Sequence, residues 1–119
     1  VPIGSMGDGI NRILTIILAL VNSSDGYLLI DEFENGLHYT VQDQLWEIVF
    51  KLATNLNIQV FATTHSNDCI ASFSRILNKE QNKDLGKYIR LDNVAGVIKD
   101  VAFTPEELDI ANNQDIEIR

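Results

Sequence analysis

Two adjacent carboxylates, Asp31 and Glu32, follow an apolar run in "GYLLIDEFENGLH" (residues 26–38), and His65 follows another in "VFATTHS" (residues 60–66). Successive residues leaving a strand point in different directions. One acid can therefore hold the hydration shell of a Mg²⁺ ion while its neighbour reaches a water. Phosphoryl transfer needs both jobs, charge neutralisation and a positioned nucleophile. A plainer reading is a strand whose polar end is kept soluble by its acids. What these groups can reach depends on the elements that carry them.

Residues 27–30, "YLLI", are a short continuous apolar run after Gly26, the pattern of a central strand covered on both faces. Residues 58–63, "IQVFAT", are β-branched and aromatic, and predict a second buried strand. "GINRILTIILALVN" (residues 9–22) is apolar on nearly every side and predicts a helix buried between other elements. In "TVQDQLWEIVFKLATNLN" (residues 40–57), Val41, Leu45, Ile48, Val49, Leu52, Ala53 and Leu56 recur at helical spacing. Thr40 is the expected cap of this helix, with Asp43 completing a near-match to a capping box. A short helix over about 67–78 follows, then two strands, "KYIRLDN" and "GVIKDVAF", turning near Ala95 and Gly96. Thr104-Pro105-Glu106-Glu107 opens a last helix, with Pro in the first turn and acids at the positive end of the dipole. Trp46 and Cys69 are expected in or near the core, Gly36 in a turn, and His38 as a cap or a surface group. The order of elements predicts an α/β fold on a parallel sheet. Ligands of such sheets collect at the carboxyl ends of the strands, which places Asp31, Glu32 and His65 on one edge.

The totals narrow the function classes. The 119 residues suffice for one domain with one core. A net charge of −8 argues against this segment gripping a nucleic-acid backbone, which takes clustered Lys and Arg. Cys69 is single, so neither a disulfide framework nor a multi-cysteine metal site is expected, and a reducing cytoplasm is the natural setting. No signal-peptide pattern is seen at the N-terminus. The longest apolar run, "IILALV" (residues 16–21), falls far short of the ~20 residues that span a bilayer, so no membrane partner is expected.

Four motifs in order carry a family resemblance that covers essentially the whole chain. "YLLIDE" resembles the Walker B segment of P-loop ATPases of the ABC class, which includes transporter ATPases and SMC-like and RecF-like proteins. "GSMGDGINR" (residues 4–12) resembles a divergent ABC signature, with Ser5 and Gly7 at its serine and second glycine. "ENGLH" (residues 34–38) occupies the D-loop position, with His38 where transporters carry Asp. "VFATTHS" ends in His65 at the switch-histidine position. The form "DE-x-E-x-G-L-H" is closest to the stand-alone AAA ATPases related to the OLD family, and the tail "TPEELDIANNQDIEIR" is similar to the end of that group.

The resemblance implies the roles. Asp31 would bind Mg²⁺ through water, Glu32 would polarise the attacking water, and His65 would touch the γ-phosphate of ATP. Ser5, Gly7 and Gly9, at the head of a helix, would offer phosphate a hydroxyl and backbone N–H groups. In this family that phosphate belongs to the other protomer, so a homodimer through the signature and D-loop is implied. A nucleic-acid or effector partner would engage parts outside this chain, in nucleic-acid transactions or phage defence.

No G-x-x-x-x-G-K-[ST] occurs, so the backbone cradle and lysine that hold the β- and γ-phosphates are missing. The expected architecture is therefore a parallel-sheet P-loop NTPase core, as the C-terminal portion of an ABC-type nucleotide-binding domain. The longer parent is expected to be an ATP hydrolase, and these residues alone are expected to neither bind ATP tightly nor hydrolyse it. Two rivals are a non-hydrolysing dimerisation or regulatory module and another kind of P-loop NTPase, such as a helicase-like protein.

Overall fold

The computed structural model describes residues 3–79 and 81–113, and the side chains of residues 3–8 and 92–94 lie outside that description. Its elements are α1 (Ile3–Val21), β1 (Tyr27–Ile30), α2 (Tyr39–Leu56), β2 (Gln59–Ala62), α3 (Asn67–Leu77), β3 (Tyr88–Val94), β4 (Val97–Phe103) and α4 (Pro105–Asn113). Helix α1 begins six residues ahead of the expected Gly9, so the signature-like glycines lie inside it. Strands β1 and β2 pair in parallel, with Leu28 opposite Val60 and Ile30 opposite Ala62. With helices between and around these strands, this is the α/β arrangement of a P-loop NTPase-type fold.

Alternation along the strands decides which residues reach the core. Ile30 is buried and Leu28 and Val60 pack against a cluster of Ile16 and Leu20 from α1, Leu45, Trp46, Val49 and Phe50 from α2, and Cys69, Ile76 and Leu77 from α3. Trp46 and Cys69 are thus core residues, as their types suggest. The opposite face of the strands is open. Leu29 is 77 % exposed and its register partner Phe61 is 49 % exposed. The expectation of two strands buried on both faces is therefore corrected, because the helices packed on this pair all cover one side. Helix α1 is corrected in the same way. Ile16 and Leu20 face inward, while Leu14, Leu18 and Val21 are exposed.

Helix ends follow local chemistry, with one substitution of roles. The cap of α2 is His38, whose Nδ1 accepts from the Thr40 N–H at 3.3 Å, so Thr40 is the first-turn donor rather than the cap. Asp43 forms no capping box. It accepts instead from the Ser72 hydroxyl and from Arg75 Nη2 at 2.8 Å, tying α2 to α3. At the other end Asn57 turns left-handed (φ 55°) and its N–H satisfies the Ala53 carbonyl. Strands β3 and β4 form a separate antiparallel hairpin, turned by Ala95 (φ 52°) and Gly96 (φ 82°). Thr104 and Glu107 cap α4 reciprocally, each side chain accepting from the other's N–H. Leu108 and Ala111 then seat α4 on Ile70 of α3. Tail residues 114–119 lie outside the described residues. Among those described, no helix is long and apolar enough to cross a membrane.

Candidate functional site

The carboxyl ends of β1 and β2 are joined first by their backbones. Thr63 N–H donates to the Ile30 carbonyl and Phe33 N–H to the Thr63 carbonyl, both at 2.9 Å. These bonds carry the parallel ladder past the strands and hold residues 31–33 against residues 63–64. Phe33 then anchors the turn from below. It is fully buried and stacks on Trp46, ring centroids 3.8 Å apart and planes within 9° of parallel. An apolar residue set among three acids is driven inward, and it leaves Asp31 and Glu32 on the exposed rim.

Side chains complete the junction. The Thr63 hydroxyl donates to Asp31 Oδ1 and accepts the Glu32 N–H at 2.9 Å. One hydroxyl thus bridges the side chain of the first acid and the backbone of the second. Glu32 has φ 49°, a left-handed conformation that a non-glycine residue adopts only when its surroundings fix it. Arg12, on α1, supplies further fixing. Its Nη2 donates to the Asp31 carbonyl at 2.9 Å and to the Glu32 carbonyl at 2.8 Å. Behind the rim, the Thr64 hydroxyl donates to Glu34 Oε1, and Glu34 Oε2 is buried with no hydrogen-bond partner.

The remaining expected residues divide. His65 is exposed in the loop from β2 to α3, two residues beyond Thr63 and one before Ser66, which caps α3 through the Cys69 N–H at 3.2 Å. It therefore shares the edge with both acids. Gly9 lies against the turn after β1, where an added Cβ would sit 3.4 Å from the Gly36 carbonyl oxygen. Gly36 itself has φ 77°, as its turn requires. The backbones of Ser5 and Gly7 lie in the first turns of α1, and the Ser5 hydroxyl lies outside the described side chains. His38 is accounted for by its cap. Arg12, Phe33, Thr63, Thr64 and Glu34 escaped the sequence reading. Phe33 carried a signal, an apolar residue inside a polar turn. Arg12 carried none, because its partners lie 19 and 20 residues away.

Among the described residues no group of three or more His, Cys, Asp or Glu side chains is gathered to enclose a metal ion. An all-protein cage is not what Mg²⁺ takes beside a nucleotide. It keeps several waters and binds one or two carboxylates plus phosphate oxygens. The exposed Asp31, steadied at Oδ1 by Thr63, is a donor set of that kind.

Comparison with known proteins bears on the family. Residues 1–70 match the family described as "AAA domain, putative AbiEii toxin, Type IV TA system". An ATP/GTP phosphatase of Helicobacter pylori is 32 % identical over 83 residues, 67 % of this chain and 22 % of that protein. An uncharacterised protein of Methanocaldococcus jannaschii is 34 % identical over 87 residues, 73 % of this chain and 76 % of its own length. The human ATP-binding cassette sub-family A member 6 is 35 % identical over 66 residues, 56 % of this chain and 4 % of that protein. The chain thus spans about a fifth of the phosphatase it resembles.

Proposed function

This chain belongs to that AAA-domain family of ABC-like P-loop ATPases, and we propose that it is the C-terminal part of a nucleotide-binding domain that hydrolyses ATP with Mg²⁺ at a dimer interface. The observation that carries the reading is the junction at the strand ends: two exposed acids of consecutive position, fixed by Thr63, on an edge shared with His65. Structural acids at a strand end need no such fixing of a strained backbone.

The roles follow from the chemistry. Asp31 would hold hydrated Mg²⁺, whose charge would offset that of the phosphates. Glu32 accepts a hydrogen bond from the attacking water and turns its lone pair toward phosphorus. His65 donates to the γ-phosphate. On this reading the phosphate of the partner protomer's nucleotide meets the head of α1 at Ser5, so each site is completed across the dimer. Gly7 and Gly9, fifth and seventh in α1, have their N–H groups taken up by the helix and would serve only where the backbone must be approached closely. A Walker A segment is supplied from outside these residues, and the small share of the phosphatase relative spanned here supports that. The isolated chain accordingly shows no saturable ATP binding at micromolar concentration. A cytoplasmic setting belongs to the same reading, as do nucleic-acid or effector partners held by other parts. A role in nucleic-acid transactions or phage defence belongs to the same proposal.

The test is ATP turnover by the full-length protein with Mg²⁺, wild type beside Glu32→Gln, with dimerisation followed by size exclusion. Turnover lost in the variant, with an ATP-held dimer remaining, is the expected result. Equal inertness without dimers would leave the interaction-module reading in its place.

A further inference from the structure

Arg12 is spent on two carbonyls that water could serve. Asp31 and Glu32 are both exposed, so neither carbonyl needs a protein donor to avoid a buried, unsatisfied acceptor. A guanidinium nonetheless reaches from α1 to both, through one Nη2 whose two N–H groups point to consecutive carbonyls at 2.9 and 2.8 Å. Its Nε is buried, so the group is wedged between helix and turn rather than waving in solvent. Contacts to exposed groups contribute little to stability and mainly fix geometry.

The geometry being fixed is unusual. Glu32 has a left-handed backbone (φ 49°), and its peptide is held on both sides, at its N–H by Thr63 from β2 and at its carbonyl by Arg12 from α1. Rotation of either flanking peptide would swing the carboxylate away from where it points. Gly9, one helical turn before Arg12, lies against the Gly36 carbonyl, so this part of α1 is seated on the same loop.

We propose that Arg12 is a positioning residue, which holds the backbone of Glu32 so that its carboxylate is correctly aimed and makes that aim depend on how α1 is seated. The inference rests on the hydrolytic reading above and adds a route by which phosphate binding at the head of α1 is felt at Glu32 of the same chain. Displacing α1 by about an ångström would stretch both contacts beyond the ordinary N–H···O range of about 2.7–3.2 Å.

Full-length Arg12→Ala and Arg12→Lys are to be compared with wild type and Glu32→Gln. In Arg12→Ala, kcat for ATP falls about 10- to 100-fold while KM stays within about threefold, the signature of a lost transition-state geometry rather than of lost binding. Arg12→Lys, which keeps a charged donor, recovers part of kcat. Hydrogen–deuterium exchange of the peptide covering residues 27–38 rises in Arg12→Ala, and the thermal midpoint shifts only slightly. Unchanged kcat in Arg12→Ala overturns the proposal. So does a fall in kcat accompanied by a proportionate loss of thermal stability and no change in exchange at residues 27–38, which would mark Arg12 as a general structural tie. Failure of the underlying reading looks different. A wild type without turnover, or one indifferent to Glu32→Gln, removes hydrolysis itself and the positioning role with it.

Discussion

At the scale of the residue, the catalytic role proposed for Glu32 and the stability of its backbone pull in opposite directions. A non-glycine residue at φ 49° is strained, and glycine at this position is not. Glu32→Gly therefore raises the stability of the full-length protein by about 0.5–1 kcal/mol, after the greater freedom of glycine in the unfolded chain is subtracted. On the proposed reading the same change should abolish ATP turnover. Urea titration and an ATPase assay on one preparation check both halves, and a destabilised variant would mean that the strain is not there. Cys69 shows the contrasting case of a polarisable group held inert by burial. Burial pushes its thiol up to about 11, a neighbouring Glu34 charge adds to the rise, and contacts to Thr64 and Trp46 oppose it. The thiolate is the reactive form, so at pH 8 a disulfide reagent should modify native Cys69 at least about 100-fold more slowly than the urea-unfolded chain.

Elements were legible in the sequence wherever one physical signal dominated. The three-and-four spacing of Leu45, Val49 and their neighbours gave α2, the apolar runs gave β1 and β2, and Ala95-Gly96 gave the hairpin turn, each because the local pattern there fits one kind of element. Caps were harder, since His38 and Thr40 both offer suitable atoms and only the chain path chooses between them. Long-range polar ties could not be read at all. Asp43 sits where a capping box would use it, yet Arg75 and Ser72, brought alongside by packing of α3, claim it instead. The Arg75 hydrogen bond holds the Asp43 carboxyl below its usual value of 3.8, and the Ser72 hydroxyl and the positive charges of Arg75 and Lys79 act in the same sense against partial burial. A carboxyl depressed in the folded state stabilises above its unfolded pKa, and that stabilisation is lost as pH falls through the folded value. The pair is substantially solvent-exposed, so Asp43→Asn costs about 0.5–1 kcal/mol at neutral pH. The difference from wild type should close as the pH drops below 3.8, as denaturation curves at the two pH values would record. The candidate site was legible to the same degree. Asp31, Glu32 and His65 stand at strand ends that the sequence marks, whereas Arg12 and Thr63 depend on the approach of separate elements.

For the molecule as a whole, the open face of β1 and β2 is the largest departure from what the sequence predicts, and it bears on the proposal that another part of the same ATPase core completes this one. Tyr27 and Phe61 stack across the two strands at 6.4 Å between centroids, with Leu29 beside them, all on the side away from the helices. A groove of about 870 Å³ extends from this face to the loop before β3, lined by Tyr27, Phe61, Leu85 and Ile89 among others. Both strands also have a free edge, because β1 and β2 pair with nothing else among the described residues. Apolar runs such as "YLLI" belong to sheets covered on both sides, and among the described residues the run is present while a second cover is not. If the rest of a nucleotide-binding core packs on this face, Leu29→Lys places a charge in an apolar interface. The cost in the full-length protein should then exceed the roughly 1.5–3 kcal/mol of a buried leucine side chain alone. In the isolated chain the same substitution faces water, so it should leave the urea midpoint nearly unchanged and reduce self-association seen by light scattering. Equal and small effects in the two proteins would mean that the face stays open in both, and the Walker A half would then have to join this chain along a strand edge alone.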